Sequence, residues 1–148
     1  MLALWTHTAT KRGIMSEISL KHYLAKLDTL LEENAYDEAI YHCRHIIQHF
    51  PRNVAAYQRL AIALLRMSRW NEAGETLRRV LSVYPDDVRT HNGLAQVYQK
   101  QNKPDLVIWH LERVFDQEPN NNETMNNLRE LYRLYRGYEP AKLHMTTG

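Results

Sequence analysis

Residues 54–87 read VAAYQRLAIALLRMSRWNEAGETLRRVLSVYPDD, and this stretch decides the fold because its pattern recurs on both sides. It contains Pro85, and the prolines Pro51 and Pro119 lie 34 residues before and after it. Two residues after each proline comes an Asn or Asp, which are residue types that cap helix N-termini. A helix breaker followed by a helix cap at a fixed period indicates an array of helical repeats.

The repeat extends to many other positions. If each proline is the third-last residue of a unit, the chain divides into units 20–53, 54–87 and 88–121 and a partial unit from residue 122. Agreement in residue type at so many positions is not expected by chance, so each unit is predicted to bury the same face. The matching positions are Tyr23, Tyr57, His91 and Met125; Leu60, Leu94 and Leu128; Ala61 and Ala95; Leu30, Leu64, Tyr98 and Tyr132; Ala39, Ala73 and Val107; Cys43, Leu77 and Leu111; and Ile46, Val80 and Val114.

The unit 54–87 resembles the tetratricopeptide repeat (TPR), a helix–turn–helix unit of about 34 residues. The resemblance covers about residues 18–136. It implies an all-α, right-handed superhelical solenoid of about three and a half units, with seven helices. The residues that carry the resemblance are Tyr57, Leu60, Ala61, Leu64, Ala73, Leu77, Val80 and Pro85, together with the segment Tyr36-Asp37-Glu38-Ala39-Ile40 of the first unit.

Apolar residues at helical spacing predict where the seven helices lie. Asn34 stands in the first turn, where the family has Gly, and Asn tolerates the left-handed conformation that a tight turn requires. Trp70 is expected to pack over its helix pair. Pro104 replaces an aromatic residue of the family, so that corner is predicted to be less well packed. The predicted helices are 19–33, 37–49, 54–67, 71–84, 88–101, 104–118 and 122–136.

The ends of the chain depart from the repeat. Residues 1–15 are expected to be a disordered or non-native extension, residues 16–136 the TPR domain, with its partial unit at 122–136, and residues 137–148 a tail that leads to missing downstream protein. Gly137 and Pro140 are expected to end the last helix. Tyr132, Leu134 and Tyr135 make a poor solvent face, which indicates that a downstream domain or another subunit covers them.

The sequence gives no sign of catalysis. The chain has 148 residues, a net charge of +2 and a single cysteine, Cys43, on a predicted core position. It contains no phosphate loop, no zinc-protease motif and no nucleophile elbow, so neither an enzyme activity nor a cofactor is predicted. His42, His45 and His49 have a spacing that can bind a metal, but they are read as solvated histidines on a helix face.

By resemblance to the family, the first helices of the pairs line a concave groove that binds protein or peptide. Gln58, Asn92 and Asn126 share one position in successive units, and their amides match the C=O and N–H groups of an extended peptide. The arginines around them favour an acidic partner. The alternative is that these are only solvated groove residues. The predicted groove residues are Gln58, Arg59, Ile62, Arg66, Arg89, Asn92, Gln96, Gln99, Asn126, Glu130 and Arg133.

Three other functions are weighed against this one. Some members of the family hold a C-terminal carboxylate with Lys and Asn, but this chain has Leu24 and Asp28 at those positions, and Asp28 would repel it. The main alternative to peptide binding is scaffolding or oligomerisation through the last helix, as part of a larger multi-repeat protein. RNA binding is suggested only by a small basic surplus, and the groove lacks a ladder of aromatic residues for stacking. No membrane contact is predicted, and the lone cysteine fits the reducing cytoplasm.

Overall fold

The computed structural model describes residues 17–136, which fold into an all-α solenoid. Within this range seven α-helices follow one another and pack as antiparallel pairs, with the last helix unpaired. The first six predicted helices are confirmed to within two residues at both ends, and the seventh is confirmed at its start. The helices are α1 (Glu17–Glu32), α2 (Tyr36–His49), α3 (Val54–Arg66), α4 (Trp70–Val83), α5 (Val88–Lys100), α6 (Pro104–Gln117) and α7 (Asn122–Leu131).

The end of the last helix differs from the prediction. The α-helix was expected to run to residue 136, but it ends at Leu131 and continues as a single π turn over Tyr132–Arg136. Tyr132 is 0% exposed and its hydroxyl donates to Glu112 Oε1 of α6 at 2.6 Å. The prediction that Tyr132 belongs to an uncovered surface is therefore wrong, because α6 covers it. The extension 1–15 and the tail with Gly137 and Pro140 lie outside the described residues.

The starts of α3, α5 and α7 are fixed by the predicted caps. The side chains of Asn53, Asp87 and Asn121 accept hydrogen bonds from the backbone N–H groups three residues later, at 2.9–3.0 Å. Each bond satisfies a helix N–H group that has no partner within the helix. The period of 34 residues is therefore a period of helix starts.

The turn inside each pair needs a left-handed residue at the same position. Asn34, Ser68 and Asn102 have φ values of 61°, 58° and 56°. Asn visits this region more readily than Ser does, and Gly visits it without steric cost.

Replacing Ser68 with Gly is therefore expected to stabilise the protein. The native φ of 58° strains any residue with a Cβ, so Ser68→Gly should raise the free energy of unfolding by about 0.5–1 kcal/mol. Urea unfolding followed by circular dichroism measures this. Ser82→Gly is the matched control, because Ser82 lies inside α4 and there the change should destabilise. A destabilised Ser68→Gly variant would count against the strain argument.

The second and third pairs make a close contact through two glycines. A Cβ at Gly93 in α5 would lie 3.0 Å from Leu77 Cδ1 in α4 and 3.4 Å from Leu65 Cδ1 in α3. A Cβ at Gly74 in α4 would lie 3.3 Å from Val97 Cγ1 in α5. The missing side chains let α5 approach the second pair closely.

Polar contacts repeat between units as the apolar ones do. The Tyr57 hydroxyl donates to the carbonyl of Pro51 at 3.0 Å, and His91 Nε2 does the same to Pro85 at 2.7 Å. These bonds tie the loop that joins two units to the helix that follows it. Among residues 17–136 no helix is both long and apolar enough to traverse a lipid bilayer.

Candidate functional site

The eleven predicted groove residues all lie on the first helices of the second and third pairs or on the last helix and its π turn. Nine of them are exposed, and the other two, Gln58 and Arg59, are half-buried. The structure gathers some of them around two hollows. The first, called the groove hollow, lies among α1, α3, α4 and α5. The second, called the end hollow, lies among α5, α6 and α7.

The groove hollow has a volume of about 300 Å³ and an apolar floor. Gln58, Arg59, Ile62 and Arg89 line it, so four of the eleven predicted residues come together here. Ile62 is 41% exposed, so an apolar side chain of the hollow is accessible to a partner. The floor is formed by Ala61, Leu65, Leu77 and Val80.

Arg59 in this hollow is already paired. Its Nε and Nη2 donate to the two carboxylate oxygens of Asp28 in α1 at 2.8 and 2.9 Å, and its Nη1 donates to the Ala55 carbonyl at 3.1 Å. Asp28 thus occupies the fork that could otherwise hold a carboxylate of a ligand. Arg89 lines the same hollow and is exposed, with no ion pair to any described residue, so it is the cation that remains available.

The end hollow is larger, at about 600 Å³. Of the predicted residues only Gln99 and Glu130 line it. Its other polar lining includes Lys100 and Lys103, and its apolar lining comes from Pro104, Val107, Leu111, Leu131, Leu134 and Tyr135. The predicted loose corner at Pro104 is therefore present. Lys103 and Leu131 were not predicted as site residues, although Pro104 had indicated this corner of the fold.

The other five predicted residues line neither hollow. Arg133 forms an ion pair with Glu130, one helical turn away. Asn92 and Asn126 are exposed, and neither they nor Gln58 form a hydrogen bond within the described chain. The three carboxamides therefore have donors and acceptors that face solvent. The remaining residues of this group are Arg66 and Gln96.

His42, His45 and His49 of α2 were expected to be solvated on one helix face. The structure does not show this arrangement. His42 is buried, its Nδ1 lies 2.5 Å from the Tyr23 hydroxyl, and burial lowers its pKa. The His45 and His49 rings lie 4.6 Å apart, and burial lowers the pKa of His45 as well. Within residues 17–136 no three His, Cys, Asp or Glu side chains group in a way that could hold a metal ion.

Cys43 lies in the core, as its position in the repeat predicted. It is fully buried, and burial raises the pKa of its thiol to about 12. The thiolate is the reactive form of cysteine, so a thiol with this pKa is not a nucleophile at neutral pH.

Comparison with known protein families matches residues 30–97 to the tetratricopeptide repeat family. This segment holds the turns at Asn34 and Ser68, the caps at Asn53 and Asp87 and the whole second helix pair. Residues 30–97 belong to the TPR family, and the chain around them has the TPR fold. The TPR family is in general a non-catalytic protein-interaction fold, and the match supports a protein-interaction module in this chain.

Solved structures agree with the TPR fold. A MamA RS-1 double mutant is 15% identical and has a TM-score of 0.73, over 96% of this chain and 86% of that one. The first TPR of Spaghetti (RPAP3), bound to an HSP90 peptide, is 20% identical with a TM-score of 0.72, over 81% and 95%. YrrB, described as a TPR protein with an unusual peptide-binding site, is 15% identical with a TM-score of 0.72, over 88% and 65%. No curated protein sequence matches the chain.

Proposed function

We propose that this TPR protein is a non-catalytic module that binds an extended peptide segment along the face formed by α1, α3, α5 and α7. The observation that carries the proposal is the groove hollow, where an exposed Ile62 and an apolar floor stand beside Gln58 and the unpaired Arg89. A ligand site of this size, with apolar walls and a few polar groups, suits one side chain of a peptide.

The carboxamides supply the second part of the proposed contact. Gln58, Asn92 and Asn126 occupy the same position on α3, α5 and α7, and each offers two donors and an acceptor. A peptide unit has one donor and one acceptor, so an amide can bind the backbone whatever the side chains are. This arrangement would hold an extended segment with little dependence on its sequence.

The charges favour an acidic segment, although less strongly than the count of arginines suggests. Arg59 is bound to Asp28, and Arg133 is bound to Glu130. Arg66 and Arg89 are the exposed arginines of the face that remain for carboxylates of a partner. The peptide-bound structure of similar fold, in which an HSP90 peptide is present, supports a peptide as the class of partner. We place the protein in the reducing cytoplasm, which suits the free, buried Cys43.

The double variant Asn92→Ala with Asn126→Ala tests the proposal. Each lost amide contact to a peptide backbone is worth about 0.5–1.5 kcal/mol, so affinity should fall roughly tenfold while helicity is unchanged. An immobilised array of unstructured peptides of graded acidity measures the affinity. Gln48→Ala with Gln117→Ala is the matched control, because it removes two exposed carboxamides from the second helices. Peptide capture that is undiminished in the test variant would contradict the proposal.

Assembly through the last helix is the second candidate. Leu134 and Tyr135 are 63% and 58% exposed, which favours a covering partner, whether another subunit or a downstream domain. The buried Tyr132 does not contribute to this surface. Light scattering separates the two candidates, because a monomer that captures peptides fits the first and an oligomer fits the second.

A further inference from the structure

We infer that the end hollow is a docking site for a large aromatic side chain of a partner peptide, with carboxylates on either side of it. The inference deepens the proposed function, because the end hollow includes Gln99 and Glu130 of the predicted groove. It rests on a comparison of the three helix pairs with one another, and it does not depend on the carboxamides.

The first residue of each second helix occupies the same position in its unit. In the first two pairs this residue is aromatic: Tyr36 begins α2 and Trp70 begins α4, and both pack against the core. In the third pair the residue is Pro104, which lines the end hollow. The third pair therefore has a space at the position where the other two pairs carry an aromatic ring of their own.

The backbone does not close this space. At the preceding interface Gly93 and Gly74 let α5 approach α3 and α4 closely. The corresponding positions at the last interface carry Asn127 in α7 and Ile108 in α6. Both positions carry side chains in place of glycine, and a hollow of about 600 Å³ lies at this interface.

The walls of the space suit an aromatic ring. Val107, Leu111 and Leu131 are apolar and at least half-buried, while Leu134 and Tyr135 are largely exposed beside them. Trp70 in the second pair packs below the side chain of Lys100, whose Nζ lies 5.8 Å from the ring centroid. Leu134 has the same position in the last unit that Lys100 has in the third. A ring bound in the end hollow would be covered by Leu134 as Trp70 is by Lys100.

The charge at the rim indicates the residues next to that ring. Lys100 and Lys103 line the hollow, and both already lie over aromatic rings, of Trp70 and Tyr98. Glu130 is the acidic side chain of the lining, and it is paired with Arg133. The rim is therefore positive, which favours carboxylates beside the aromatic anchor.

Two fluorescein-labelled, amidated pentapeptides test the inference by fluorescence anisotropy. One has a central tryptophan between pairs of glutamates, and the other has alanine at the centre. The protein should bind the tryptophan peptide at least tenfold more tightly. Pro104→Trp should remove this preference by filling the hollow with the chain's own ring. Lys103→Glu should weaken binding of both peptides, whereas Lys26→Glu, the same change on the exposed face of α1, should leave it unchanged.

Pro104→Trp could fail to fold, so Leu134→Glu is a second test of the same hollow. Leu134 is 63% exposed, and its replacement leaves the core intact. This variant should also lose the preference for tryptophan. Equal affinity for the two peptides in the wild type, or a preference that survives both variants, would overturn the inference. A wild-type dimer that Leu134→Glu dissociates would also overturn it, since a second copy would then occupy the hollow.

The outcomes of the two experiments are separable. If the tryptophan preference persists in the Asn92→Ala and Asn126→Ala variant while that variant captures peptides as the wild type does, the carboxamide proposal fails and the docking site stands. If the preference is absent while the carboxamide variant loses affinity, the docking site fails and the proposed function stands.

Discussion

Acidification from neutral pH to about 4 is expected to lower the free energy of unfolding by on the order of 3 kcal/mol through one buried histidine. The pKa of His110 is lowered from 6.5 to about 4, first by burial and then by the charges of His91 and Arg113. One pKa unit corresponds to about 1.4 kcal/mol between the two protonation states. Between these two pKa values the unfolded chain binds a proton that the folded chain does not, so stability falls as the pH falls.

The geometry around His110 explains why the proton is excluded. His91 Nε2 lies 2.7 Å from the Pro85 carbonyl, and a carbonyl only accepts, so this nitrogen carries a proton. The Nδ1 atoms of His91 and His110 lie 3.0 Å apart, with one proton between them when both rings are neutral. A further proton would bring two N–H groups face to face in a buried site.

The equivalent residues of the second unit supply a control for the role of the two histidines. The positions of His91 and His110 are held by Tyr57 and Thr76 in the second unit, where Tyr57 donates to the Pro51 carbonyl. The double variant His91→Tyr with His110→Thr copies that arrangement. Urea unfolding followed by circular dichroism across the pH range should show a smaller loss in the double variant. His42 and His45, whose pKa values are lowered by burial, and Glu72, whose pKa is lowered by its hydrogen bond with Arg69, contribute to the part that remains. A wild-type stability that is flat over this range would refute the prediction.

Replacing Leu94 with Ala is expected to cost roughly 2–5 kcal/mol, because a cavity in a packed core adds to the lost burial of the side chain. Leu94 is 0% exposed and lies in α5, the helix that the glycines bring closest to the second pair. The same urea titration measures the loss.

The control for Leu94→Ala is the same substitution at a leucine that is exposed. Leu106 in α6 is 39% exposed, so Leu106→Ala should cost less than about 1 kcal/mol. Equal losses for the two variants would show that the repeated leucine position is not the centre of the core.

The fold could be predicted because its determinants are local and repeated. Apolar spacing, the caps at Asn53, Asp87 and Asn121 and the turn residue Asn34 each act within a few residues of themselves. Because these features recur every 34 residues, they predict the helix–turn–helix repeat far more strongly together than any of them does alone.

The candidate site was less accessible to sequence reasoning because it depends on contacts between units. Arg59 reaches Asp28 across 31 residues of chain, and nothing in the local pattern indicates that pair. His42 was expected to be solvated, yet it is buried because the Tyr23 hydroxyl of α1 lies within hydrogen-bond distance of its Nδ1. The prediction of an uncovered Tyr132 was wrong because it considered the last helix without the neighbouring α6. The equivalent residues Leu64 and Tyr98 are also buried.

The two glycines have a mechanical consequence. Each unit of a solenoid touches only its neighbours, so the stiffness of the whole is set interface by interface. The close approach at Gly74 and Gly93 is expected to make the central joint stiffer than the last joint, where Ile108 and Asn127 hold the equivalent positions. A bound segment would therefore contact a stiffer surface at the second and third pairs, and a last helix that can adjust its position.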